Sequence, residues 1–267
     1  MGENHIRLII LGIDALDISM VDKLDLRALK QLQYGELNVP LSPVSGYPHS
    51  PSVWATFLSG NEVEIEFTRG RVIDFIVKYM PKIRLIRRFL QTEFPNRFIG
   101  MEKEELFVDF EGVKGINVPF RNHEVKNLVE LVRLRNKLSR QGTIRKFVRV
   151  HNSRTEEIFN EVINTSEVHK VIFAFIQSLD TLQHALFLRN SLVLEAYRHM
   201  ERCFSYIKEK LSEDMIIIVS DHGFDIEKGQ HSYTGFYSCN HILNPKPTHI
   251  TDFYGLVNKF LNGEEIT

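Results

Sequence analysis

Three short aliphatic segments, at residues 6–13, 170–177 and 215–220, constrain the fold of this chain more than any other feature. Each segment is aliphatic or β-branched without polar alternation, which is typical of a strand buried on both faces of a parallel sheet. Helical patterns separate the segments, over residues 155–163 and again from about 178 to 211. This arrangement predicts an α/β domain with a mainly parallel sheet flanked by helices.

Two further short helices are predicted near the N-terminus. Residues 26–33 form the first helical pattern, with Gly35 as its expected stop. Residues 52–59 form the second, and Gly60 follows as its expected C-terminal cap. The segment between them, at 40–51, contains four prolines and is predicted to be a loop.

The middle third of the chain differs from the rest in its charge pattern. Residues 71–90 and 121–150 are basic and helical in spacing, whereas residues 91–112 between them are acidic. We expect one domain over 1–267 with a helical insert or cap at about 61–165. The basic stretches could guide an anionic substrate or a nucleic-acid strand. The simpler interpretation is a solvated helical face balanced by the acidic run.

Composition excludes several classes of protein. The formal net charge of -1 over 267 residues gives no global reason to expect a nucleic-acid partner. Two cysteines, Cys203 and Cys239, cannot make a disulfide framework, so we expect a reducing, cytoplasmic location. No apolar run approaches the ~20 residues of a membrane helix, so a membrane partner is not expected. The sequence leaves the oligomeric state undecided.

Acidic and histidine side chains follow all three predicted strands. Parallel strands place their carboxyl ends at one edge of the sheet, so these side chains are expected to converge there. A further histidine, His231, lies nine residues beyond His222 and could fold back to the same edge of the sheet. The six candidates are Asp14, Asp180, His184, Asp221, His222 and His231.

Carboxylate oxygens and imidazole nitrogens suit Zn²⁺ or Mn²⁺. Asp180 and His184 are spaced i, i+4, so they share one helix face and can bind the same ion. Each candidate alone has a simpler role: Asp14 as a helix N-cap, His184 as a surface histidine, and residues 221–223 as a turn. Together, three Asp and three His are more than one four-coordinate ion needs and predict two divalent ions.

The loop-to-helix segment at 48–54 offers a nucleophile. A serine hydroxyl at a helix N-terminus, either Ser50 or Ser52, lies near unpaired N–H groups that favour phosphate oxygens. Metal coordination would activate such a hydroxyl, although either serine could be only an N-cap. The chain has no G-x-S-x-G elbow, Walker loop or G-x-G-x-x-G motif.

Four blocks of sequence, at 9–14, 50–60, 178–184 and 219–224, resemble the alkaline phosphatase superfamily. Within it they are most similar to the type I phosphodiesterase/nucleotide pyrophosphatase family. The resemblance implies an alkaline-phosphatase-like core and a nucleophile at Ser50. It also implies two metal ions, zinc first and manganese as the alternative. It assigns Asp14, Ser50, Asp221 and His222 to one ion and Asp180, His184 and His231 to the other.

The chain departs from that family in several places. Serine replaces the commoner threonine at position 50, and residues 61–64 replace a Pro- and His-containing segment, which leaves the usual phosphoryl-oxygen stabiliser unassigned. His241 and His249 compete with His231 as the last ligand. The nucleophile region also lacks the C-x-P-x-R or S-x-P-x-R motif of sulfatases.

These observations predict a metal-dependent phosphoester hydrolase. We expect a phosphodiesterase or nucleotide pyrophosphatase that acts through a phosphoseryl intermediate on a small phosphorylated substrate such as a nucleotide. Trp54 and Phe57 could offer apolar surface to a diester, but core positions suit them better. The alternatives are a phosphomonoesterase or phosphomutase of the same superfamily, and a non-catalytic module that binds metal or nucleic acid.

Overall fold

A six-stranded sheet forms the centre of the computed structural model, which describes residues 6–43, 45–65, 105–121 and 141–267. A separate hairpin of two short strands follows the fifth strand of the sheet. The strands are β1 (Leu8–Ile13), β2 (Gln33–Leu37), β3 (Val113–Ile116), β4 (Val171–Ile176), β5 (Met215–Ser220), β6 (Phe224–Asp225), β7 (Gln230–His231) and β8 (Gly235–Cys239).

Helices cover both faces of this sheet. They are α1 (Ile18–Lys23), α2 (Arg27–Lys30), α3 (Ser50–Ser59), α4 (Gln141–Thr165), α5 (Ser178–Leu186), α6 (Asn190–Lys210) and α7 (Asp252–Asn262), with a 3₁₀ turn at Phe107–Asp109. None of these described helices combines the length and the apolar character needed to cross a membrane.

The strand order is β2–β8–β5–β1–β4–β3. β1 pairs in parallel with both β4 and β5, and β3 pairs in parallel with β4. Among the described strands of this sheet, β8 alone runs opposite to the other five, because it is antiparallel to both β5 and β2. The prediction of a mainly parallel sheet flanked by helices is therefore confirmed, and all three predicted buried strands lie side by side in its middle.

The two faces of the central strands bury two separate apolar layers. Ile9 and Leu11 of β1 face the layer that contains α4, α5 and α6. Leu8 and Ile10 alternate to the other face, where Trp54 and Phe57 of α3 pack with α7. This alternation is the period of two that a strand imposes. Trp54 is 1% exposed and Phe57 0%, so both are core residues and offer no surface to a substrate.

The predicted helix at 26–33 is too long. α2 ends at Lys30, and Gln31 adopts φ 56°, which a continuing helix does not allow. The backbone N–H of Leu32 already bonds to the carbonyl of Cys239, which starts the β2–β8 pairing. Gly35 consequently lies inside β2 and is not a helix stop. Gly60, by contrast, caps α3 in the left-handed conformation as expected.

Parts of the predicted insert at 61–165 belong to the central architecture. β3 extends the parallel sheet beyond β4, and α4 buries Ile144 and Phe147 in the helical layer. Residues 66–104 and 122–140, including the basic helical pattern at 71–90, lie outside the described residues. For those two stretches the insert stays a prediction.

Candidate metal centre

The carboxyl ends of three neighbouring strands create the candidate site. Asp14 directly follows β1, and Asp221 directly follows β5, its hydrogen-bonded neighbour. On the other side of β1, β4 leads into α5, whose first turn carries Asp180. Because these strands are parallel and adjacent, the chain delivers three carboxylates to one edge of the sheet.

The first group of side chains surrounds His222. Its Nε2 lies 3.2 Å from Asp221 Oδ2, 3.6 Å from Asp14 Oδ1 and 2.7 Å from Ser50 Oγ. Asp14, Asp221 and His222 are buried, while Ser50 is half-buried. One ligand atom from each of the three buried residues lies within 4.8 Å of the others, a spacing that one ion can bridge.

The second group surrounds Asp180. Its Oδ1 lies 3.1 Å from Nε2 of His184, one helical turn away, and 3.9 Å from Nε2 of His231. The two imidazole Nε2 atoms are 2.9 Å apart. His231 reaches this position on β7, and its Nδ1 lies 3.2 Å from the carbonyl oxygen of Pro48. An Nδ1–H donated to that carbonyl would leave Nε2 with its lone pair, as a metal ligand requires.

The two competing histidines lie elsewhere. His241 Nδ1 is 3.0 Å from the Asn240 side-chain oxygen, and His249 Nδ1 is 2.8 Å from the Thr251 hydroxyl. Of the three candidates, the structure brings only His231 beside Asp180.

The two groups touch one another. The rings of His222 and His231 stack with centroids 3.7 Å apart. Ligand atoms of Asp180, His222 and His231 also lie within 4.8 Å of one another. His222 therefore stands between the groups, and its Nε2 is within reach of an ion in either one.

Unsatisfied carboxylate oxygens indicate that cations fit this site. Asp14 Oδ1, Asp180 Oδ1 and Asp221 Oδ2 are buried from solvent and accept no hydrogen bond of good geometry from the described residues, although a histidine Nε2 lies within 3.6 Å of each. Leaving a buried charged oxygen without a partner is costly, and such oxygens are normally paired or coordinate a metal. Mixed sets of carboxylate oxygens and imidazole nitrogens are typical ligands of divalent metal ions in proteins.

Burial also dominates the protonation of the carboxylates. It raises the pKa of Asp14 well above its ordinary value, and the nearby charges of Asp221 and Asp180 raise it further. Burial raises the pKa of Asp221 to about 6, with a contribution from Asp180. Asp180 differs: burial would raise its pKa, but the charge of His184, with a smaller contribution from His231, holds it below the ordinary value.

The imidazoles of His222 and His231 are held neutral. Burial lowers the pKa of His222 to about 4 and that of His231 to about 3. Repulsion from the neighbouring histidines adds to both shifts. A neutral imidazole keeps a lone pair for a metal ion, so both rings are ready to act as ligands near pH 7.

The structure distinguishes the two candidate serines. Ser50 is the first residue of α3, and its hydroxyl is directed at His222. Ser52 Oγ instead lies 2.8 Å from Nδ1 of His49 and accepts a hydrogen bond from the backbone N–H of Ile65. Ser50 therefore belongs to the candidate site, whereas Ser52 fixes the chain that follows α3.

Two positions at the site escaped sequence analysis. His49 is buried beside the histidine cluster, and burial together with repulsion from His231 and His222 lowers its pKa to about 3. Asp17 caps α1 and accepts a 2.7 Å hydrogen bond from Ser232, next to His231. The one sequence signal for His49 is that it directly precedes Ser50. Asp17 has no local signal, because its contact with Ser232 joins residues 215 positions apart in the chain.

Comparison with known proteins supports the fold. No protein-family model matches the sequence, and no curated protein matches it. The structure is similar to that of alkaline phosphatase from the Antarctic bacterium TAB5, with a TM-score of 0.55 and 9% identity over 97% of this chain and 99% of the phosphatase. A magnesium-bound variant of that phosphatase gives the same TM-score and identity, over 96% and 97% of the two chains.

A third structure, Ps i-CgsB in complex with k-i-k-neocarrahexaose, has a TM-score of 0.50 and 11% identity. It is matched over 99% of this chain and 73% of its own length. At such low identities these similarities show the fold alone. The protein therefore has an alkaline-phosphatase-like α/β fold, with its acidic and histidine side chains gathered at the carboxyl edge of the parallel sheet.

Proposed function

We propose that this protein is a metal-dependent phosphoester hydrolase in which Ser50 is the nucleophile. The preferred substrates are phosphodiesters or nucleotide pyrophosphates, small anionic molecules that enter at the carboxyl edge of the sheet. The reaction passes through a phosphoseryl intermediate. The similarity to structures named as alkaline phosphatases supports the class of reaction at the level of the fold.

The position of the Ser50 hydroxyl carries this proposal. Its Oγ lies 2.7 Å from His222 Nε2, the nitrogen that is also 3.6 Å from Asp14 Oδ1 and 3.2 Å from Asp221 Oδ2. A hydroxyl used only as a helix cap would bond to the N–H groups of its own helix. Ser50 is instead directed at a cluster of metal-ligand atoms, which is where a nucleophile needs to be.

Two divalent ions fit the surrounding ligands. Asp14, Ser50, Asp221 and His222 would hold one, and Asp180, His184 and His231 would hold the other. When bound, these ions would act as Lewis acids that lower the pKa of the serine hydroxyl and stabilise negative charge on the leaving oxygen.

The residues of the chain supply the remaining chemistry. Ser50 Oγ attacks phosphorus, and the new Oγ–P bond forms as the bond between phosphorus and the leaving oxygen breaks. The hydroxyl proton passes to solvent. The backbone N–H groups of Ser50 and Ser52 at the start of α3 would orient the phosphoryl oxygens, since Pro51 between them has none. Water then hydrolyses the phosphoserine and regenerates the hydroxyl. The His231–Pro48 contact keeps the second ligand group next to the loop that carries Ser50.

A monoester and a diester make different demands on the charge around the site. A monoester presents a third anionic phosphate oxygen, which calls for additional cationic contacts. Within the described ranges, no lysine or arginine forms a hydrogen bond or ion pair with any of the seven candidate residues. A monoesterase or mutase would need a lysine or arginine beside the bound phosphate, in addition to these seven residues.

Hydrolysis of bis-p-nitrophenyl phosphate and p-nitrophenyl phosphate tests the proposal. We expect diester hydrolysis that requires added Zn²⁺ or Mn²⁺ and stops with chelator. S50A should lose turnover while it still binds metal, and S50T, which keeps a hydroxyl, should retain activity. S45A, at an exposed serine of the preceding loop, is the matched control and should match the unmodified protein.

Each alternative function predicts a different outcome of these assays. Preference for the monoester would move the assignment to a phosphatase or mutase with the same ligands. Full activity of S50A would overturn the nucleophile assignment. Metal-independent, steeply salt-dependent binding of nucleic acid without hydrolysis would indicate a binding module.

A further inference from the structure

A second group of metal-ligand side chains lies in the helical layer, outside the candidate metal centre. Glu156 lies in the middle of α4, and His199 and Cys203 lie one turn apart in the middle of α6. Because His199 and Cys203 are spaced i, i+4, they share one face of α6. One ligand atom of each residue lies within 4.8 Å of the others.

Several electron-rich atoms converge on one ring nitrogen. His199 Nε2 is 3.5 Å from Glu156 Oε1, 3.4 Å from Cys203 Sγ and 3.4 Å from the backbone carbonyl oxygen of Asn152. A single N–H can make one well-aligned hydrogen bond, so it cannot satisfy both the Glu156 carboxylate and the Cys203 sulfur. A cation in place of that proton could contact them together.

The spacing of these atoms matches a tetrahedral zinc ion. Zinc lies about 2.3 Å from sulfur and about 2.0–2.2 Å from nitrogen or oxygen, so ligand atoms at tetrahedral angles are roughly 3.3–3.6 Å apart. The observed separations from Nε2 to Sγ and to Oε1 are 3.4 and 3.5 Å. Two edges of a zinc tetrahedron are therefore already present, and the helices need not move to provide them.

We propose that Glu156, His199 and Cys203 bind a zinc ion that links α4 to α6. Sulfur and imidazole donors favour zinc over magnesium or calcium, which prefer oxygen ligands. Binding replaces the thiol proton of Cys203, which is released to solvent, while His199 binds as the neutral imidazole. Glu156 is exposed, so the ion reaches the site from the surface and water can complete its coordination.

Cobalt substitution tests this site separately from the candidate metal centre. Co²⁺ bound to a thiolate gives a near-ultraviolet charge-transfer band, and the candidate centre contains no cysteine. The other cysteine, Cys239, is buried in β8 and lies outside both groups. We expect the full-length protein to develop the band with Co²⁺ and to lose it when Zn²⁺ is added.

Matched cysteine variants assign the band. C203S should lose it and should bind one metal ion fewer per chain, whereas C239S should keep both. No band in the cobalt-loaded protein, or a band that persists in C203S, would overturn the proposal. The cobalt band is measured without a phosphodiester substrate, so the result of this test does not depend on the proposed hydrolase activity.

Alkylation of the unmodified protein covers the case in which C203S does not fold. Cys203 is partly exposed, so a maleimide can reach it, and peptide mapping separates it from buried Cys239. Zinc at ~100 times its Kd should slow the alkylation of Cys203 about 100-fold, in proportion to the fraction of sites left empty. An unchanged rate with zinc present would refute the site.

Discussion

Replacing Asp221 by asparagine is expected to stabilise the metal-free protein and to weaken its stabilisation by metal. The Asp221 carboxylate is fully buried, and within the part of the chain that the structure describes, its Oδ2 accepts no hydrogen bond of good geometry. An asparagine has the same shape, carries no charge, and keeps an oxygen to accept the Ala15 backbone N–H that now bonds to Oδ1. Without metal, the substitution removes an unpaired buried charge; with metal, it removes a ligand.

The size of the effect follows from the pKa of this group. Burial, with a contribution from Asp180, raises the pKa of Asp221 from its ordinary value of 3.8 to about 6. At about 1.4 kcal/mol per pH unit, this shift corresponds to about 3 kcal/mol of lost stability when the group is ionised. For a chain of this size, removing a cost of about 3 kcal/mol raises Tm by roughly 6–12 °C.

The sign of the pH dependence is fixed by the same shift. Because the folded-state pKa is raised, the cost of Asp221 is fully present above about pH 6. It diminishes as the pH falls through 6 and disappears below 3.8, where folded and unfolded states are both protonated. The advantage of D221N over the unmodified protein should therefore be large at pH 8 and small near pH 4.

Asp214 provides a matched control at the opposite end of β5. It is also buried, but its two carboxylate oxygens bond to the Arg7 guanidinium at 2.7 and 2.8 Å. D214N should destabilise the protein by about 2 kcal/mol, with or without metal, because it weakens a charged hydrogen-bonded pair.

Thermal unfolding followed by circular dichroism, in chelator and in Zn²⁺, measures all of these differences. D221N should melt above the unmodified protein in chelator at pH 8, and zinc should raise its Tm much less. If D221N melts below the unmodified protein in chelator at pH 8, the Asp221 carboxylate does not destabilise the metal-free protein, and the reasoning is refuted.

The remaining predictions concern core packing and metal retention. G12A should destabilise the protein by about 1–3 kcal/mol in urea denaturation, because an added Cβ would lie 2.9 Å from the Trp54 ring. G255A, in open space on α7, should be neutral or stabilising by up to about 1 kcal/mol, and equal effects of the two substitutions would contradict the packing described. Protons compete with metal for Asp14 and Asp221, whose pKa values are raised. Metal affinity should therefore fall by up to about tenfold per pH unit below pH 6 for each competing proton. Equal affinities at pH 8 and pH 5 in equilibrium dialysis would exclude this competition.

The central part of the fold could be predicted because its strands are buried on both faces. β1, β4 and β5 are unbroken apolar runs, which the sequence displays directly. β2 is different, since it lies at the edge of the sheet, contains Gly35 and buries only Leu37. β3 has only four residues, one of them a glycine. Such strands are specified by their partners in the sheet and give little local signal.

The candidate site could be predicted for a related reason. A residue that follows a buried parallel strand is at the ligand-binding edge wherever the strand lies in the sequence, so Asp14 and Asp221 were identified from local patterns. His231 has no such signal, because a two-residue strand and a contact with Pro48 hold it in place. Its nearness in sequence to His222 makes it a candidate, whereas its assignment to the second ion rests on the family resemblance, as does the preference for Ser50 over Ser52.

The pairing of β1 also determines when the site can form as the chain folds. Leu8 lies opposite Val171 on one side and Met215 on the other, so its partners are distant in sequence. Closing such long loops is slow and entropically costly, and no ligand pair across β1 exists before it happens. Metal ions therefore cannot link ligands on different strands of the sheet until these loops have closed. A chain still being synthesised has no complete site until His231 has emerged, so only then can both ions be held by their full sets of ligands.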